Sequence, residues 1–487
     1  MSKNFRQAKD ESIFSLKSLG ADLSEYREQL AKERSARTLN LRRTNRPTIA
    51  GFLNKKSICN VSNTKLIDTS NFPFLDPFYA FGQLKKADPK TLPSFLNSLY
   101  ICLQQTPRLA SNLLKEEEIP EAFIGALMSD LQEDLIVMLL KTLCLVFKYS
   151  IDEQQVKYID EGLCMCLFDF LSSHSLNLLE ASLSLVDTIS EASSYARDSV
   201  LCLGIHSFII DIAKAELNDQ ITIKSCEVLN KVFSNNQSID TNTLTSCVQP
   251  ISTLLSLNNV QAVYIVLSCF ISMTNKMPAL VFNMYDLGLF PMIVEFLKNQ
   301  ELIGVALPLI GNMSIGHLAH IKTLLECNLF DILMELIDTE FTADVYWVLS
   351  NILESVPHLV FGLFKPEFVQ QTVDIASSSS FEVKKEAAFF IATLLLFTES
   401  DDLQHFENEE LIDLLVEMLG CSSNLIVLRC LDALIRLTYI FENNNQELLS
   451  FLHNRDLENI LTNLVNQRSV IIKDRAEFLL NRVIKHI

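Results

Sequence analysis

A pair of apolar helices that recurs about every 42 residues is the feature that most constrains the fold of this chain. A small turn residue precedes the first helix of the pair at Gly162, Gly204, Gly288 and Asn328, with spacings of 42, 84 and 40 residues. One position of the second helix can be followed in steps of 38 to 44 residues through Leu183, Glu227, Ile265, Pro308, Trp347, Phe389 and Leu431. Units of this length bury their apolar faces only by stacking on their neighbours, so the sequence predicts a stack of helical repeats.

The composition favours helices throughout the chain. Apolar residues make up 49% of the 487 residues, and glycine and proline number only 12 and 13. Few β-branched runs with a period of two occur, and a period near 42 is typical of armadillo and HEAT repeats. The predicted fold is an all-α, right-handed superhelical solenoid of about ten armadillo repeats with a flexible basic N-terminal arm. We predict the arm at residues 1–50, a linker and anchor segment at residues 51–90, and the solenoid at residues 91–487.

Charge divides the chain into a basic arm and an acidic body. Residues 1–46 hold 11 basic and 6 acidic residues, whereas the remainder holds 29 basic and 53 acidic residues, within a total net charge of −19. An acidic body repels a phosphate backbone, so direct binding of nucleic acid is not expected. The same body attracts basic partners, among them its own arm.

The residue patterns indicate neither catalysis nor a cofactor. A glycine-rich phosphate loop is missing, as is a set of nucleophile, base and orienting residue, so an enzyme is not expected. His317 and His320 lack a third ligand at a suitable spacing for zinc. The longest apolar runs have about 11 residues, whereas a membrane span needs about 20, so membrane insertion is not expected. Among the 12 cysteines only Cys164 and Cys166 lie close together, which indicates reduced thiols of an intracellular protein without a secretory address.

A polar strip on one predicted helix is the best candidate binding site. One face of this helix carries four residues spaced three, four and three apart: Asp344, Trp347, Asn351 and Glu354. An indole can hold the stem of a lysine or arginine, carboxylates can meet its charge, and an asparagine amide can pair with a peptide backbone. Apolar residues form a separate face, so we expect the helix to pack without burying the strip. The alternative is that Trp347 is a core aromatic and Asn351 a surface amide.

The sequence resembles the importin-α family of nuclear import adaptors over nearly its whole length. The resemblance is carried by the W-x-x-x-N spacing of Trp347 and Asn351, the run GNMSIGH at Gly311–His317, the run KKEAAFFIATL at Lys384–Leu394, and the basic arm ahead of about ten repeats. It implies an adaptor of the cytoplasm and nucleus whose armadillo repeats bind basic nuclear localisation signals in a concave groove.

The resemblance implies two peptide-binding regions on the third helices of successive repeats. The predicted residues of the later groove are Asn312, Asp344, Trp347, Asn351, Glu354 and Phe389. Pro308 stands there in place of a basic residue, and Phe389 and Thr393 replace one tryptophan and asparagine pair. The early groove has lost its pairs, which read Leu183/Asp187, Glu227/Lys231 and Ile265/Cys269. Asp187 and Glu227 would attract a cation without forming a lysine pocket, and Lys231 would repel a basic peptide unless Glu227 neutralises it.

The basic arm resembles an importin-β-binding segment in its spacing of leucines and basic residues. The residues predicted to bind importin-β are Lys32, Arg34, Arg37, Arg42, Arg43 and Arg46. The implied partners are importin-β, cargo proteins with basic localisation signals, and an export receptor that recycles the adaptor. An arm without importin-β would compete with cargo for the groove. The other hypothesis is an armadillo scaffold for one fixed protein partner without a transport role, which the loss of most tryptophan and asparagine pairs favours.

Overall fold

The computed structural model describes residues 72–235, 238–315, 317–398, 408–444, 457–467 and 469–485. These residues form α-helices joined by turns and short 3₁₀ segments, and none of them lies in a β-strand. The prediction of an all-α fold is confirmed. The described residues fall into two compact units, of which the first ends at Leu289 and the second begins at Phe290.

The first unit repeats a pattern in which two short helices precede a longer one, called here the third helix. Its described α-helices are α1 Pro77–Lys86, α2 Leu92–Gln105, α3 Ile119–Leu127, α4 Glu133–Tyr149, α5 Asp152–Asp160, α6 Leu163–Leu171, α7 Leu176–Ala192, α8 Ser194–Cys202, α9 Ile205–Lys214, α10 Asp219–Ser234, α11 Thr241–Ser252, α12 Val260–Lys276 and α13 Leu280–Asp286. Helix α1 lies within residues 51–90, the range predicted as linker and anchor, and it packs on α2 and α3.

The second unit continues the same alternation of short and long helices. Its described α-helices are α14 Phe290–Glu295, α15 Ile303–Met313, α16 Leu318–Glu326, α17 Leu329–Leu336, α18 Thr342–Ser355, α19 Pro357–Val360, α20 Pro366–Ser378, α21 Phe381–Phe397, α22 Glu409–Met418, α23 Asn424–Asn444, α24 Leu457–Gln467 and α25 Val470–Lys485. Each short helix buries its apolar side against a longer neighbour, as α20 does against α21 and α24 against α25.

The turn residues predicted from the repeat lie in the left-handed region of backbone conformation. The φ angles of Gly162, Gly204 and Gly288 are 102°, 73° and 67°, and that of Asn328 is 60°. Glycine adopts this region without a steric cost, and asparagine tolerates it better than most residues. Each of the four residues therefore lies in a turn between two short helices of a repeat.

Polar caps fix where three of the third helices of the first unit, α7, α10 and α12, begin. The side chains of Ser175, Asn218 and Asn259 each accept a hydrogen bond from a backbone N–H three residues later, at 3.5, 2.8 and 2.9 Å. Such a cap satisfies one of the four unbonded N–H groups at a helix start and contributes about 1 kcal/mol. The caps follow one another at steps of 43 and 41 residues, so the period of the sequence is also the period of the helix starts.

The third helices pack side by side within each unit. In the first unit α4 contacts α7, α7 contacts α10, and α10 contacts α12. In the second unit α15, α18, α21, α23 and α25 contact one another in succession. The seven positions traced through the sequence lie on seven of these helices in order, from Leu183 on α7 to Leu431 on α23. The repeat period thus predicted the order of the third helices correctly.

A helix that crosses a membrane needs both length and apolar character. Within the described ranges, no single helix is long and apolar enough to cross a membrane. One bent pair, Leu280–Asp286 with Phe290–Lys298, reaches the required length and composition only when its two helices are taken together.

Candidate functional site

The central part of the predicted polar strip on α18 is buried. Trp347 is 4% exposed and Asn351 is 5% exposed. Asp344 at the start of the helix is half-buried, and the side chain of Glu354 at its end is 9% exposed. The expectation that α18 packs without burying the strip is therefore wrong for its two middle residues.

Gly311 on α15 is the reason that the indole can be buried at this place. A Cβ atom at Gly311 would lie 1.9 Å from Cζ3 of Trp347 and 2.4 Å from its Cη2, so the ring rests on bare backbone. Asn351 Nδ2 donates a hydrogen bond of 3.0 Å to the carbonyl oxygen of the same glycine. Residues four apart lie on one side of a helix, so both side chains reach one residue of the preceding third helix. The W-x-x-x-N spacing serves helix packing here.

The sequence contains a signal for this contact that the search for binding residues missed. Gly311 precedes Asn351 by 40 residues, which is about one repeat. A glycine inside a helix costs about 1 kcal/mol relative to alanine, so a packing reason for it is expected. A helical glycine one repeat before a tryptophan and asparagine pair predicts a close approach of two third helices.

The other residues predicted for the later groove also lie in the core. Asn312 and Phe389 are buried, and the Thr393 hydroxyl donates to the carbonyl oxygen of Phe389 at 2.7 Å. Pro308 lies within α15 and is half-buried. Helix α21 is buried on all sides over Glu386–Phe397. The role of these residues in binding a peptide stays a prediction, while their role in packing is visible.

Arg429 contacts two other third helices, one through a buried ion pair and one through an aromatic ring. Arg429 Nη2 on α23 lies 2.8 Å from Glu354 Oε1 on α18, and the two side chains are 6% and 9% exposed. The Arg429 guanidinium also lies over the ring of Phe389 on α21, 4.9 Å from the ring centroid. Arg429 thus meets an aromatic face and a carboxylate, the two groups that the sequence offered to a basic ligand. The sequence pattern does not predict this contact, because Arg429 and Glu354 lie 75 residues apart.

On the early third helices, lysines of the chain meet the predicted acidic residues. Lys224 Nζ on α10 lies 3.0 Å from Asp187 Oδ2 on α7 and 3.8 Å from Glu227 Oε2 on its own helix. Lys231 Nζ lies 3.3 Å from Glu191 Oε2 on α7. The sequence left open whether Glu227 neutralises Lys231. The packing of α7 against α10 supplies Glu191 instead.

A line of polar side chains on α7, α10 and α12 remains accessible and is called here the polar stripe. It consists of Asn177, Glu180, Ser184, Asp187, Glu191, Gln220, Lys224, Glu227, Lys231, Gln261 and Ser268. The side chains of Glu191 and Glu227 are 59% and 48% exposed. The stripe contains four carboxylates and two ammonium groups, so it is acidic overall. Each of its helices also carries an exposed amide, which can donate to and accept from a peptide backbone.

The remaining predicted residues are those of the basic arm and His320. Those of the basic arm, Lys32, Arg34, Arg37, Arg42, Arg43 and Arg46, lie outside the described residues. His320 is buried, with its ring 5.4 Å from that of Phe290 in an edge-to-face arrangement, so it packs in the core. In the part of the chain that the structure describes, no three His, Cys, Asp or Glu side chains are grouped so that they could hold a metal ion.

The single tryptophan provides a test of the burial on α18. We expect the fluorescence of native Trp347 to be blue-shifted and protected from iodide, because the indole lies against Gly311 and is 4% exposed. Unfolding in urea should shift the emission to the red and remove the protection. Iodide quenching of the native protein, compared with free N-acetyltryptophanamide, measures this. Quenching as strong as that of the free indole would contradict the buried position.

The pH dependence of cysteine labelling tests the burial of side chains on α4 and α6. Burial raises the pKa of Cys144 and of Cys166 to about 11 and that of Cys164 to about 12. Because the thiolate is the form that reacts, labelling of these residues should be slow at about pH 8 and should rise as the pH approaches 11. Cys202 is exposed and should be labelled at the lower pH. Peptide mapping after brief treatment with iodoacetamide checks this, and equal labelling of all four at the lower pH would contradict it.

Comparison with known proteins supports the fold. No family model matches the chain, and no curated protein matches its sequence. The crystal structure of an engineered protein from a structural genomics consortium is similar with a TM-score of 0.66 and 15% identity, over 83% of this chain and 98% of that one. A designed armadillo repeat protein matches with a TM-score of 0.41 and 14% identity, over 48% of this chain and 99% of that one. At such low identity the first likeness shows the fold alone. The chain is an all-α solenoid of helical repeats.

Proposed function

We propose that this chain is a scaffold that binds an extended segment of one fixed protein partner along the polar stripe. The observation that carries the proposal is that cations of the chain already contact several of the carboxylates, and the one aromatic ring, that could receive a basic peptide. Lys224 and Lys231 meet the early carboxylates, and Arg429 lies on the aromatic ring and carboxylate of the later helices. A receptor for exchangeable basic signals needs such positions open, whereas a scaffold for one partner does not.

The chemistry of the polar stripe favours a polar segment of mixed charge. The exposed amides of Asn177, Gln220 and Gln261 lie on three successive third helices, and a side-chain amide can pair with a peptide backbone. Gln220 Nε2 donates to Glu180 Oε1 at 2.7 Å, so a peptide would meet these two side chains as a pair. On the polar stripe the charged groups of α7 are all carboxylates, whereas α10 carries both ammonium groups and one carboxylate. A partner that presents both signs of charge therefore meets complementary groups. A cluster of lysines alone would have to displace Lys224 and Lys231.

The second candidate is a nuclear import adaptor that binds basic localisation signals and recruits importin-β through its arm. Two observations favour it: the polar stripe has two more carboxylates than ammonium groups, and the first 46 residues are basic. It requires that a basic peptide compete with the lysines of the chain. Under this candidate the protein would be found in the cytoplasm and the nucleus.

Selection from a phage-displayed peptide library on the full chain tests the proposal. We expect enriched peptides with both acidic and basic residues, whose affinity falls at least about tenfold, or about 1.4 kcal/mol, in the Ser184→Arg and Ser268→Arg variants. These two substitutions place a bulky cation on the half-exposed part of the polar stripe and leave its ion pairs intact. Ser246→Arg, on the exposed side of α11, is the matched control and should bind normally.

Three results of this selection would be decisive. Peptides that bind equally well to all variants would contradict the polar stripe as the binding surface. Enrichment of lysine and arginine clusters that lose affinity in the Ser184→Arg variant would favour the import adaptor. A failure to enrich any peptide would contradict both candidates.

A further inference from the structure

We propose that Phe389 and Glu354 form a binding site for a guanidinium group and that Arg429 of the same chain fills it as an internal ligand. This inference goes beyond the proposed function, because it concerns the second unit and does not depend on a partner at the polar stripe. The ligand class is an arginine side chain or another planar guanidinium.

Phe389 and Glu354 contact the Arg429 guanidinium group in two different ways. The Cζ atom of the Arg429 guanidinium lies over the Phe389 ring, 4.9 Å from the centroid. Its Nη2 atom lies 2.8 Å from Glu354 Oε1. A planar cation can offer its face to a ring and its N–H edge to a carboxylate at the same time. A lysine ammonium is a compact point charge without such a face, so the site discriminates by shape.

The position of Glu354 at the end of a helix favours a cation beside its carboxylate. It lies in the last turn of α18, which ends at Ser355. The carbonyl end of a helix carries a partial negative charge, so a carboxylate in the last turn is disfavoured. Burial adds a desolvation cost to this repulsion. The paired guanidinium of Arg429 offsets both effects.

The internal ligand comes from a later repeat than its receivers. Arg429 follows Phe389 by 40 residues and Glu354 by 75, and the helices that carry them contact one another in the order α18, α21, α23. The side chain of Arg429 therefore crosses α21 to reach Glu354. An arginine is long enough for this reach, and its stem covers apolar surface on the way.

A similar arrangement recurs at the next step of the stack. Arg482 on α25 lies over the ring of Tyr439 on α23, 3.7 Å from the centroid. Its Nε atom donates a hydrogen bond of 3.0 Å to Thr438 Oγ1. Arg482 follows Tyr439 by 43 residues, close to the 40 between Arg429 and Phe389. An arginine seated on the aromatic ring of the preceding third helix is thus a repeated element of the second unit.

Chemical rescue of the Arg429→Ala variant of the full chain tests the site. Removing the side chain should empty the site, and methylguanidinium chloride should then refill it. We expect methylguanidinium to raise the unfolding temperature of Arg429→Ala, followed through Trp347 emission, while it leaves the unmutated chain unchanged. Methylammonium chloride at the same concentration should give no rise. Adding Glu354→Gln to the variant should abolish the rescue.

Controls distinguish specific rescue from a general effect of the salt. The Lys384→Ala variant removes a surface cation that pairs with Glu417 at 2.9 Å, and methylguanidinium should not stabilise it. An equal rise with both cations, or rescue that persists with Glu354→Gln, would overturn the proposal. A stable Arg429→Ala variant without any response to methylguanidinium would overturn it as well.

A second variant covers the case in which Arg429→Ala does not fold. Arg429→Lys keeps the charge and removes the planar face. We expect Phe389→Leu to lower the unfolding temperature less in the Arg429→Lys background than in the unmutated chain, because the lost contact is between ring and guanidinium. An equal decrease in both backgrounds would overturn the proposal.

Discussion

The Gly311→Ala substitution is expected to destabilise the second unit, although alanine ordinarily stabilises a helix by about 1 kcal/mol over glycine. The added methyl group would lie 1.9 Å from Cζ3 of Trp347, far inside van der Waals contact. Overpacking of this kind typically costs about 1–3 kcal/mol, and the hydrogen bond of Asn351 to the Gly311 carbonyl would be strained with it. The urea midpoint of the Trp347 transition measures the effect.

A second glycine of the same helix is a matched control for this substitution. A Cβ atom at Gly304 would lie 3.7 Å from Phe341 Cε1, an ordinary contact, so Gly304→Ala should be neutral or stabilising. Trp347→Leu should reduce the cost of Gly311→Ala, because it removes the ring that the methyl group meets. Since it also removes the fluorophore, urea unfolding of this background is followed by far-ultraviolet circular dichroism. Equal midpoints for the two glycine variants would contradict the close contact of the α15 and α18 helices.

The Glu354→Ala substitution is expected to cost about 3–5 kcal/mol, because it leaves the Arg429 charge buried without this carboxylate. The two side chains are 9% and 6% exposed, so water cannot easily take over the role of the partner. Replacing both charges, with Glu354→Leu and Arg429→Met, should cost much less than either single loss. Urea unfolding of the single and double variants, followed through Trp347, measures the difference.

A surface ion pair shows how much of this effect depends on burial. Lys384 pairs with Glu417 at 2.9 Å, and the carboxylate is more than half exposed. Lys384→Ala should therefore cost only about 0–1 kcal/mol. If Glu354→Ala were as mild as Lys384→Ala, the ion pair of Arg429 would not contribute to stability in the way proposed.

The parts of the fold that were predicted correctly follow from local chemistry repeated at a fixed period. Gly162, Gly204, Gly288 and Asn328 were read as turns, and all four have the positive φ that such turns need. The order of the third helices followed from the same period. Local rules suffice here because each repeat contacts mainly its neighbours, so the pattern of one repeat predicts that of the next.

The candidate site on α18 was harder to predict, because a helical pattern defines faces without saying which face is covered. Trp347 and Asn351 form a polar-looking face with Asp344, yet they pack on Gly311 of the preceding third helix. Burial of an asparagine is acceptable when a backbone carbonyl accepts its N–H. That acceptor lies 40 residues away, beyond the reach of any pattern within one helix.

The partners of Lys231 and Arg429 could not be predicted from the sequence for a related reason. Lys231 is one helical turn from Glu227, so the sequence left open a pair within α10. Its partner in the structure is Glu191, on the neighbouring third helix. Arg429 reaches across a whole repeat to Glu354. Contacts between repeats depend on how the helices stack, and the sequence alone gives the stacking order without side-chain positions.

Titration of a fluorescent basic localisation peptide, followed by anisotropy, is the most direct test of whether the chain's own cations fill its cation sites. We would titrate both the full chain and a variant that lacks residues 1–71, so that the basic arm cannot mask a groove. We expect no saturable binding in the micromolar range, which corresponds to about −8 kcal/mol, because Lys224, Lys231 and Arg429 already occupy the receiving groups. Saturable micromolar binding that weakens at least about tenfold on Asp344→Lys would contradict this expectation and would identify the later helices as a receptor for basic signals.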